Sequence, residues 1–495
     1  MSDIDAGARA AAARGEPALV WRRAVADTET PVSAALKLIE PGRGDFLLES
    51  VEGGAVRGRY SLLGLAPDLV FRAHGEKAEI NRDWLHDRAA FRSETAPTLA
   101  AFRALVAACR IVVPAELPPA LAVLVGYFAY ETIGLIERLP RPAANPLALP
   151  DLVFVRPTVL LVFDTLTDAL FVVAPVWSGG SVDCAVERVE DVLARLAGPI
   201  PARAPCLAAD AASPRPVLSA EAYGSKVRAA KRYIEAGDIF QVVLAQRFET
   251  PFPLSPFELY RALRRVNPSP FLYHLDLPGF ALIGSSPEIL VRVRDGEVTV
   301  RPIAGTRPRG RTAAEDADHR ASLLADPKER AEHLMLLDLG RNDVGRVAEV
   351  GSVRVTDSYT VENYSHVMHL VSNVVGRLRD GCDAIDALFA GFPAGTVSGA
   401  PKVRACEIIA ELEDETRGAY AGGVGYVSPD GSMDSCIVLR TAVVKDGVMH
   451  VQAGAGIVAD SDPASEQREC EAKAGALFAA AREAIARAAE AGYGQ

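Results

Sequence analysis

The feature that most constrains the fold is a pair of segments in which short alternating strands are joined by Asp-Gly turns. Residues 422–458 predict three antiparallel strands that turn at Asp430-Gly431 and Asp446-Gly447, and residues 279–303 turn at Asp295-Gly296. Asp-Gly favours the tight turns that join antiparallel strands. Strands in runs, with helices kept apart from them, are typical of an α+β fold and not of alternating βαβ units.

Helical periodicity lies between these strand runs. Segment 182–198 predicts an amphipathic helix that ends at Gly198, and Ser219 is a candidate N-cap for a helix reaching Gly237. Further helices are predicted at 326–339 and 401–413, and a last one begins near Ser465. The apolar segment 157–176 contains Asp164 and Asp168 and predicts a β-hairpin, not a membrane span.

Changes in composition suggest where the chain divides. We expect a disordered tail at 1–16, an N-terminal domain at 17–198, a Pro- and Ala-rich linker at 199–216 and a second domain at 217–495. A chain of 495 residues is long enough for two or three domains.

Charge and cysteine content narrow the class of protein. With 53 Lys and Arg against 64 Asp and Glu, the net charge of −11 argues against nucleic acid or an anionic membrane as a partner. The seven cysteines lack regular spacing, and the N-terminus lacks an apolar signal segment, so we expect a cytoplasmic protein. An anion site in this acidic chain has to come from a local group of arginines.

Two helices carry paired carboxylates. Glu329 and Glu332 are three residues apart, as are Glu466 and Glu469, with Lys473 four residues further on. Residues at this spacing share one helix face. Each pair is either a solvated surface or, if the helices meet, half of an oxygen-only site of the kind Mg²⁺ prefers.

Three glycine-rich segments follow predicted strands: "PIAGTRPRG" (302–310), "PAGTVSGAPK" (393–402) and "QAGAGIV" (452–458). They are either plain tight turns or anion-binding nests of backbone N–H groups, near Arg307, Arg309 and Arg440. No cysteine lies in the Gly-x-Cys-x-Gly elbow of a glutaminase nucleophile.

Ordered blocks of sequence resemble the chorismate-utilising enzymes, and among these the large-subunit (component I) group of the anthranilate synthases. The resemblance is dense over 217–480 and extends upstream; its blocks are "LLES" (47–50), "GRYSLLG" (58–64), "VGYFAYE" (125–131), "GDIFQVVLAQRF", "GSSPEILVR", "PIAGTRPRG", "AEHLMLLDLGRND", "VMHLVSNVVG", "FPAGTVSGAPKVRA", "CIVLRTAV" and "QAGAGIVADSDPASE". It implies a two-domain fold with large antiparallel sheets flanked by helices, regulatory in 17–198 and catalytic in 217–495.

The resemblance also implies the roles of individual residues. Glu332 and Glu469 would bind Mg²⁺ directly, and Glu329 and Glu466 through water, with Lys473 supporting these carboxylates. Arg440, Tyr420 and the backbone of Gly454, Ala455 and Gly456 would hold one carboxylate of chorismate. Gly305 and Thr306 would line its ring, and His369 and Glu288, beside Thr306, would transfer protons. Without the resemblance, His369 is read as a core histidine and Glu288 as a surface carboxylate.

The implied reaction converts chorismate and ammonia to anthranilate and pyruvate, the first committed step of tryptophan biosynthesis. Related enzymes carry a nucleophilic lysine where this chain has Ala304, or a water-activating lysine where it has Gln241, so the attacking group would be free ammonia. Ammonia would come from glutamine on a separate glutaminase small subunit (component II), in a heterotetramer of two large and two small subunits. Tryptophan would inhibit by binding at Ser50, Pro270, Phe271 and Leu272.

Two alternatives remain open at this point. The chain could release the aminated intermediate, as a 2-amino-2-deoxyisochorismate synthase does. It could also be a non-catalytic tryptophan-sensing protein on the same scaffold. The complete set of Glu332, Glu469, Arg440 and His369 argues against the second alternative.

Overall fold

The computed structural model describes residues 3–52, 56–142, 144–201, 213–364 and 367–490. Within them the helices are α1 Asp3–Ala13, α2 Pro31–Leu38, α3 Thr98–Ala108, α4 Val182–Leu196, α5 Ala220–Glu235, α6 Pro256–Val266, α7 Ala313–Ala325, α8 Pro327–Gly345, α9 Ala384–Gly391, α10 Lys402–Leu412 and α11 Pro463–Ala488, with 3₁₀ turns at Tyr130–Leu135 and Gly395–Val397. Across these same ranges, no helix combines the length and the apolar character needed to cross a lipid bilayer.

The strands are short and numerous. They are β1 Ala18–Val25, β2 Phe46–Glu49, β3 Val51–Glu52, β4 Val56–Arg57, β5 Tyr60–Leu65, β6 Leu69–His74, β7 Lys77–Asn81, β8 Arg92–Ser93, β9 Leu124–Phe128, β10 Leu152–Arg156, β11 Val159–Asp164, β12 Ala169–Val176, β13 Arg215–Pro216, β14 Gln241–Pro251, β15 Phe271–Leu277, β16 Phe280–Ser286, β17 Ile289–Arg294, β18 Glu297–Val300, β19 Ile303–Pro308, β20 Arg354–Asn363, β21 Val367–Arg377, β22 Gly399–Ala400, β23 Gly423–Val427, β24 Met433–Ile437, β25 Thr441–Lys445 and β26 Val448–Ile457.

Two antiparallel sheets of twelve strands each contain nearly all of these strands. The first has the order β1-β12-β11-β5-β2-β15-β16-β25-β26-β14-β13, with β22 also paired to β14. The second has the order β19-β21-β18-β17-β24-β23-β9-β10-β6-β7-β8, with β20 also paired to β21. The predicted α+β class with large antiparallel sheets is therefore confirmed.

The sheets pack face to face through an apolar layer. Phe46 and Leu62 of the first sheet and Val125 and Val153 of the second belong to one buried cluster. Apolar side chains from alternate positions of facing strands interdigitate in such a layer. The helices pack on the outer faces, where α4 contacts β12 and α11 contacts β26.

Both sheets contain strands from both halves of the chain. In the first sheet β2 pairs with β15, placing Glu49 opposite Leu272, and in the second β9 pairs with β23. The division at 198 and 217 is therefore not a boundary between separate sheets. Residues 202–212, the middle of the expected linker, lie outside the described residues, and Arg215–Pro216 forms an edge strand on β14.

The expected disordered tail is wrong over the part that the structure describes. Segment Asp3–Ala13 is a helix, with Ala8 buried and the Asp5 carboxylate 2.9 Å from the Arg22 guanidinium of β1. Alanine has the highest helix propensity of all residues, and α1 gains further stability by packing on β1 and α4.

The C-terminal strand run contains four strands where three were expected. After β24 the chain leaves the second sheet, passes through Arg440 and enters the first sheet as β25. The hydrophobic pattern does not reveal this change of sheet because the residues on either side of it are equally apolar. The 157–176 hairpin is confirmed as β11 and β12, and Ser219 does cap α5 by accepting from the Ala222 amide at 3.2 Å.

Candidate active site

A cavity of about 790 Å³ opens where the two sheets meet α8 and α11. Most of the predicted site residues line it: Glu288, Gly305, Thr306, Glu332, His369, Tyr420, Arg440, Gly454, Gly456, Glu466, Glu469 and Lys473. Ala455 and Glu329 lie outside the lining. A cavity of this size, with charged groups converging on it, is typical of a small-molecule site.

Arg440 brings a positive charge into the cavity and has no ion-pair partner among the described residues. It lies at the crossing from β24 to β25 with φ at 47°, a conformation that costs free energy for any residue but glycine. The Ser285 amide donates to the Arg440 carbonyl at 3.1 Å and fixes this turn. Burial lowers the pKa of Arg440, and within the described ranges no carboxylate lies within 4 Å of its guanidinium. A buried guanidinium of this kind is suited to an anionic ligand.

Glu288 faces the same cavity from the turn between β16 and β17. Its side chain is buried, and Thr396 Oγ1 lies 3.0 and 3.1 Å from its two carboxylate oxygens. Burial raises the pKa of Glu288 to about 8, although the Thr396 hydrogen bond and the Arg440 charge oppose the shift. The carboxyl group is therefore mostly protonated at pH 7 and can donate a proton.

His369 projects from β21 toward β19. Its Nδ1 lies 2.9 Å from the Gly305 carbonyl oxygen and 3.2 Å from Thr306 Oγ1. Because a carbonyl oxygen only accepts, Nδ1 carries the hydrogen in the neutral ring and leaves Nε2 as an acceptor. Burial lowers the pKa of His369, which favours this neutral form.

Gly305, whose carbonyl accepts the hydrogen bond from His369, occupies a position that only glycine fits. It has φ at +69° at an irregularity in the pairing of β19 with β21, between Ala304 and Thr306. An added Cβ would lie 3.0 Å from the Glu329 carboxylate and 3.2 Å from Leu323. Glycine is therefore required by both backbone conformation and space.

An acidic wall stands on the α8 and α11 side of the cavity. Glu332 comes from α8, and Glu466 and Glu469 come from the first turns of α11. Burial raises the pKa of Glu332, and repulsion by Glu329 adds to it; burial also raises the pKa of Glu466. The helices that sequence spacing left separate thus bring their carboxylates to one cavity.

These carboxylates are the oxygen donors that a hard cation requires. Burial and the neighbouring carboxylates raise the pKa values of Glu332 and Glu466, so a cation bound beside them would be favourable. Lys473 already places one positive charge there, because its Nζ lies 2.7 Å from Glu469 and donates to the Gly454 carbonyl at 2.8 Å. In the parts of the chain that the structure describes, no three His, Cys, Asp or Glu side chains are arranged as a metal site. The donor set fits a cation that completes its coordination with water and substrate.

Two arginines of the segment 301–310 that were candidates for an anion site lie outside the cavity. Arg307 and Arg309 do not line the cavity, because Arg307 pairs with Glu329 at 2.8 Å and Arg309 with Asp316 at 2.6 Å. The same contact holds Glu329 outside the cavity. Ala304 does line the cavity, as does Gln241 of β14, and neither offers a nucleophile.

The segment 452–458 is also different from the expected turn. It continues β26, paired with β14 as far as Ile457, whereas β25 pairs with β26 only up to Val451. From Gln452 onward this strand is paired on one side, and the other edge faces the cavity. An added Cβ at Gly454 would lie 2.7 Å from Tyr420 Oη, so glycine lets that hydroxyl approach the strand.

Sequence reasoning missed several lining residues. Thr396 lies in the quoted block "FPAGTVSGAPKVRA", yet only the fold shows that it holds Glu288. Lys328 and Asp460 form an ion pair of 2.9 Å at the cavity, from α8 and from the loop before α11. Their 132-residue separation gave no signal in the sequence.

The residues predicted to bind tryptophan gather at a different cavity, of about 330 Å³. Ser50, Phe271 and Leu272 line it, together with Arg292, Arg294 and Asp434, while Pro270 stands outside the lining. The pairing of β2 with β15 brings segments 47–50 and 267–272 together. We call this space the regulatory cavity, after the role proposed for it below.

Comparison with known proteins identifies the family. Residues 46–479 match the model of the chorismate binding enzyme family. The anthranilate synthase component 1 of Cereibacter sphaeroides is 52% identical over 97% of both chains, and that of Thermus thermophilus is 49% identical over 92% of this chain and 96% of its own. The solved structure of anthranilate synthase component I from Streptococcus pneumoniae superposes with a TM-score of 0.78 at 35% identity, covering 92% of this chain and 99% of that one. The chain therefore belongs to the chorismate binding enzyme family, in the group of the anthranilate synthase component 1 proteins.

Proposed function

We propose that this protein converts chorismate and ammonia to anthranilate, pyruvate and water. Ammonia adds at C2 of the ring while the C4 hydroxyl leaves. Loss of the C2 proton and of the enolpyruvyl group as pyruvate then gives the aromatic product. The observation that carries the proposal is a single cavity lined by Arg440, which has no ion-pair partner among the described residues, by the acidic wall, and by Ala304 and Gln241.

Chorismate is a dianion, and the cavity offers two ways to neutralise it. Arg440 and Tyr420 hold the enolpyruvyl carboxylate from the β24–β25 crossing. Glu332 and Glu469 would hold Mg²⁺, with Glu466 and Glu329 acting through water; Glu329 must first leave Arg307. A Mg²⁺ ion held there would neutralise the charge of the ring carboxylate and help to orient the ring.

Two groups with opposite pKa shifts perform the proton transfers. Glu288, with its pKa raised to about 8, gives a proton to the leaving C4 hydroxyl. Neutral His369 receives the C2 proton at Nε2. Its imidazole ring is held in place by the contacts of Nδ1 with the Gly305 carbonyl and with Thr306 Oγ1. Environments that push the pKa values of two neighbouring groups apart assign one as acid and one as base.

Ammonia is the nucleophile because this chain has no lysine at either of the two positions where related enzymes carry a nucleophilic or a water-activating lysine. Alanine at 304 cannot attack the ring, and glutamine at 241 cannot activate water. Ammonia would come from glutamine on a glutaminase small subunit, component II, in a heterotetramer of two large and two small subunits. The names of the curated relatives, which are components of a larger enzyme, support this partner.

Tryptophan would inhibit from the regulatory cavity. Two strands connect that cavity to the catalytic one: β17 begins next to Glu288 and carries Arg292 and Arg294, and β24 carries Asp434 and leads into Arg440. Ligand binding that shifts these strands changes the positions of Glu288 and Arg440 together. Inhibition therefore follows from coupling between two sites on shared strands.

The decisive experiment supplies chorismate, Mg²⁺ and ammonium to the purified chain and follows anthranilate fluorescence, with pyruvate measured in parallel. Equal amounts of anthranilate and pyruvate support the proposal. An aminated product without pyruvate indicates the 2-amino-2-deoxyisochorismate synthase alternative. Tryptophan binding without any turnover indicates the sensor alternative.

A further inference from the structure

A second cavity, of about 230 Å³, lies behind the catalytic one. It is enclosed by the 3₁₀ turn Tyr130–Leu135, by α10 and by the segment 139–142. Ile133, Leu135, Ile409 and Ala410 give it apolar walls. The functions proposed above make no use of it.

The charged groups of the second cavity leave a net negative charge. Arg417 pairs with Glu413 at 2.6 Å, Arg141 pairs with Asp151 at 2.7 Å, and Glu415 pairs with Arg247 at 3.0 Å. Glu131 has no ion-pair partner among the described residues, and its carboxylate accepts the backbone amides of Arg417, at 2.7 Å, and Gly418, at 3.0 Å. Burial raises the pKa of Glu131 to about 7, although these hydrogen bonds and the nearby Arg141 charge oppose the rise.

Tyr130 adds an independent sign that a ligand belongs in this cavity. Its side chain is 7% exposed and lines the cavity. Among the described residues its buried hydroxyl has no nitrogen or oxygen hydrogen-bond partner, only the weakly bonding thiol of Cys406 beside it. The Arg417 guanidinium lies 4.7 Å from the centre of its ring. A buried hydroxyl with so weak a partner is unfavourable, so a small hydrogen-bonding molecule would relieve it.

Arg417, which lines this cavity, also contacts residues that line the catalytic one. The Arg417 guanidinium donates to the carbonyl oxygens of Val243 and Val397, both at 2.7 Å, and both of these residues line the catalytic cavity. On its other side, Arg417 lies 5.6 Å from the ring of Tyr420, which also lines the catalytic cavity.

We propose that the second cavity binds ammonium and supplies ammonia to the catalytic cavity past Arg417. Ammonium is a small cation with four N–H donors, which suits the Glu131 carboxylate and the Tyr130 hydroxyl oxygen. Glu131 takes one proton from ammonium, which leaves ammonia and a neutral carboxyl group, and the proton then passes to water at the cavity mouth. The Arg417 charge repels ammonium but not ammonia, so only the nucleophilic form crosses. This inference rests on the proposed use of ammonia.

Two variants test the site through the ammonium dependence of anthranilate formation by the full chain. Tyr130→Phe removes this hydroxyl, and we expect the KM for ammonium to rise about fivefold to tenfold, the value of one hydrogen bond, with the KM for chorismate unchanged. Ala410→Phe fills the cavity from α10 and should raise the KM for ammonium further. Val403→Phe places the same bulk at an exposed position of α10 and should change neither constant.

The outcomes separate this inference from the proposed function. If wild type forms no anthranilate from chorismate and ammonium, the proposed function fails. If wild type is active but Tyr130→Phe and Ala410→Phe keep its KM for ammonium, only the second-cavity site is refuted.

A crystal soaked in a thallous salt gives a readout that does not depend on activity: anomalous density beside Glu131 supports the site, and the absence of density there refutes it. Thermal unfolding of Tyr130→Phe should stay at or above wild type, since a poorly satisfied hydroxyl is lost.

Discussion

Thr396 Oγ1 lies within hydrogen-bond distance of both carboxylate oxygens of Glu288, at 3.0 and 3.1 Å, from a segment more than a hundred residues away in the chain. The hydroxyl stabilises the ionised carboxylate and so limits the rise that burial causes in the pKa of Glu288. The threonine thereby keeps the acid close to the pH at which it has to work.

Replacing this threonine should move the pH profile. In Thr396→Val the pKa of Glu288 rises further, so the alkaline limb of kcat, set by loss of the Glu288 proton, moves to higher pH. Thr396→Ser keeps the hydroxyl and should restore the wild-type limb. Initial rates from pH 6 to 10 measure the shift; an unmoved limb in the valine variant would show that another group sets it.

Glu288 should also make stability depend on pH. Its pKa is 4.5 in the unfolded chain and about 8 in the folded one, so its favourable contribution is complete below pH 4.5 and is lost as the pH rises toward 8. Glu288→Gln cannot ionise, so the free energy of unfolding of this variant should fall by a few kcal/mol less than that of wild type as the pH rises over this range. Urea unfolding at pH 5 and pH 8.5 checks this, with Glu471→Gln, an exposed position on α11, as the control.

Removing a carboxylate from the acidic wall should abolish the effect of Mg²⁺. For Glu332→Gln and Glu469→Gln we expect kcat to fall by roughly 100-fold or more, since a charge-assisted contact contributes about 1.5–3 kcal/mol and a metal ligand more. Circular dichroism should stay native because both side chains lie at the cavity. Near-normal turnover at moderate Mg²⁺ in either variant would contradict the assignment, and Glu471→Gln again serves as the control.

The purified chain should use ammonium and not glutamine. The reason is that Ala304 and Gln241 supply no alternative nucleophile and that no cysteine lies in a glutaminase elbow. Anthranilate fluorescence with each nitrogen source measures this, and adding a component II protein should restore the use of glutamine. Glutamine-dependent turnover by the purified chain alone would contradict this prediction.

Tryptophan should inhibit, and a bulky residue at Ser50 should relieve the inhibition. Ser50 packs closely against Gly58, because a Cβ added at Gly58 would overlap Ser50 Oγ. In Ser50→Phe the phenylalanine therefore has no room on that side, and we expect its ring to occupy the regulatory cavity. We expect little change in uninhibited kcat, because the catalytic cavity is lined by other residues. Titration with tryptophan checks the variant against Ser93→Phe, an exposed serine on β8; equal sensitivity of the two would contradict the site.

Local sequence patterns predicted the fold class and several secondary-structure elements correctly. The α+β class, the 157–176 hairpin and the cap at Ser219 follow from periodicity and turn chemistry, which act within a few residues. The motif resemblance named twelve of the residues that line the catalytic cavity. The roles of those residues stay predictions until they are measured.

What sequence could not supply depends on distant contacts. The Arg307–Glu329 pair, the crossing at Arg440 and the hydrogen bond from Thr396 each join residues whose proximity only the sheets determine. The helix at Asp3–Ala13 was missed because an alanine-rich terminus resembles a flexible tail until the surface that buries Ala8 is known.

The interleaving of both chain halves in each sheet limits how this protein can be divided. A fragment ending near residue 200 would expose the edges of β2 and β9, and the complementary fragment would expose those of β15 and β23. Open strand edges recruit other strands, so each fragment made alone would aggregate, whereas the two made together could pair with each other. Cuts and insertions between the two halves therefore disrupt shared sheets, and the two halves of the sequence fold as one unit.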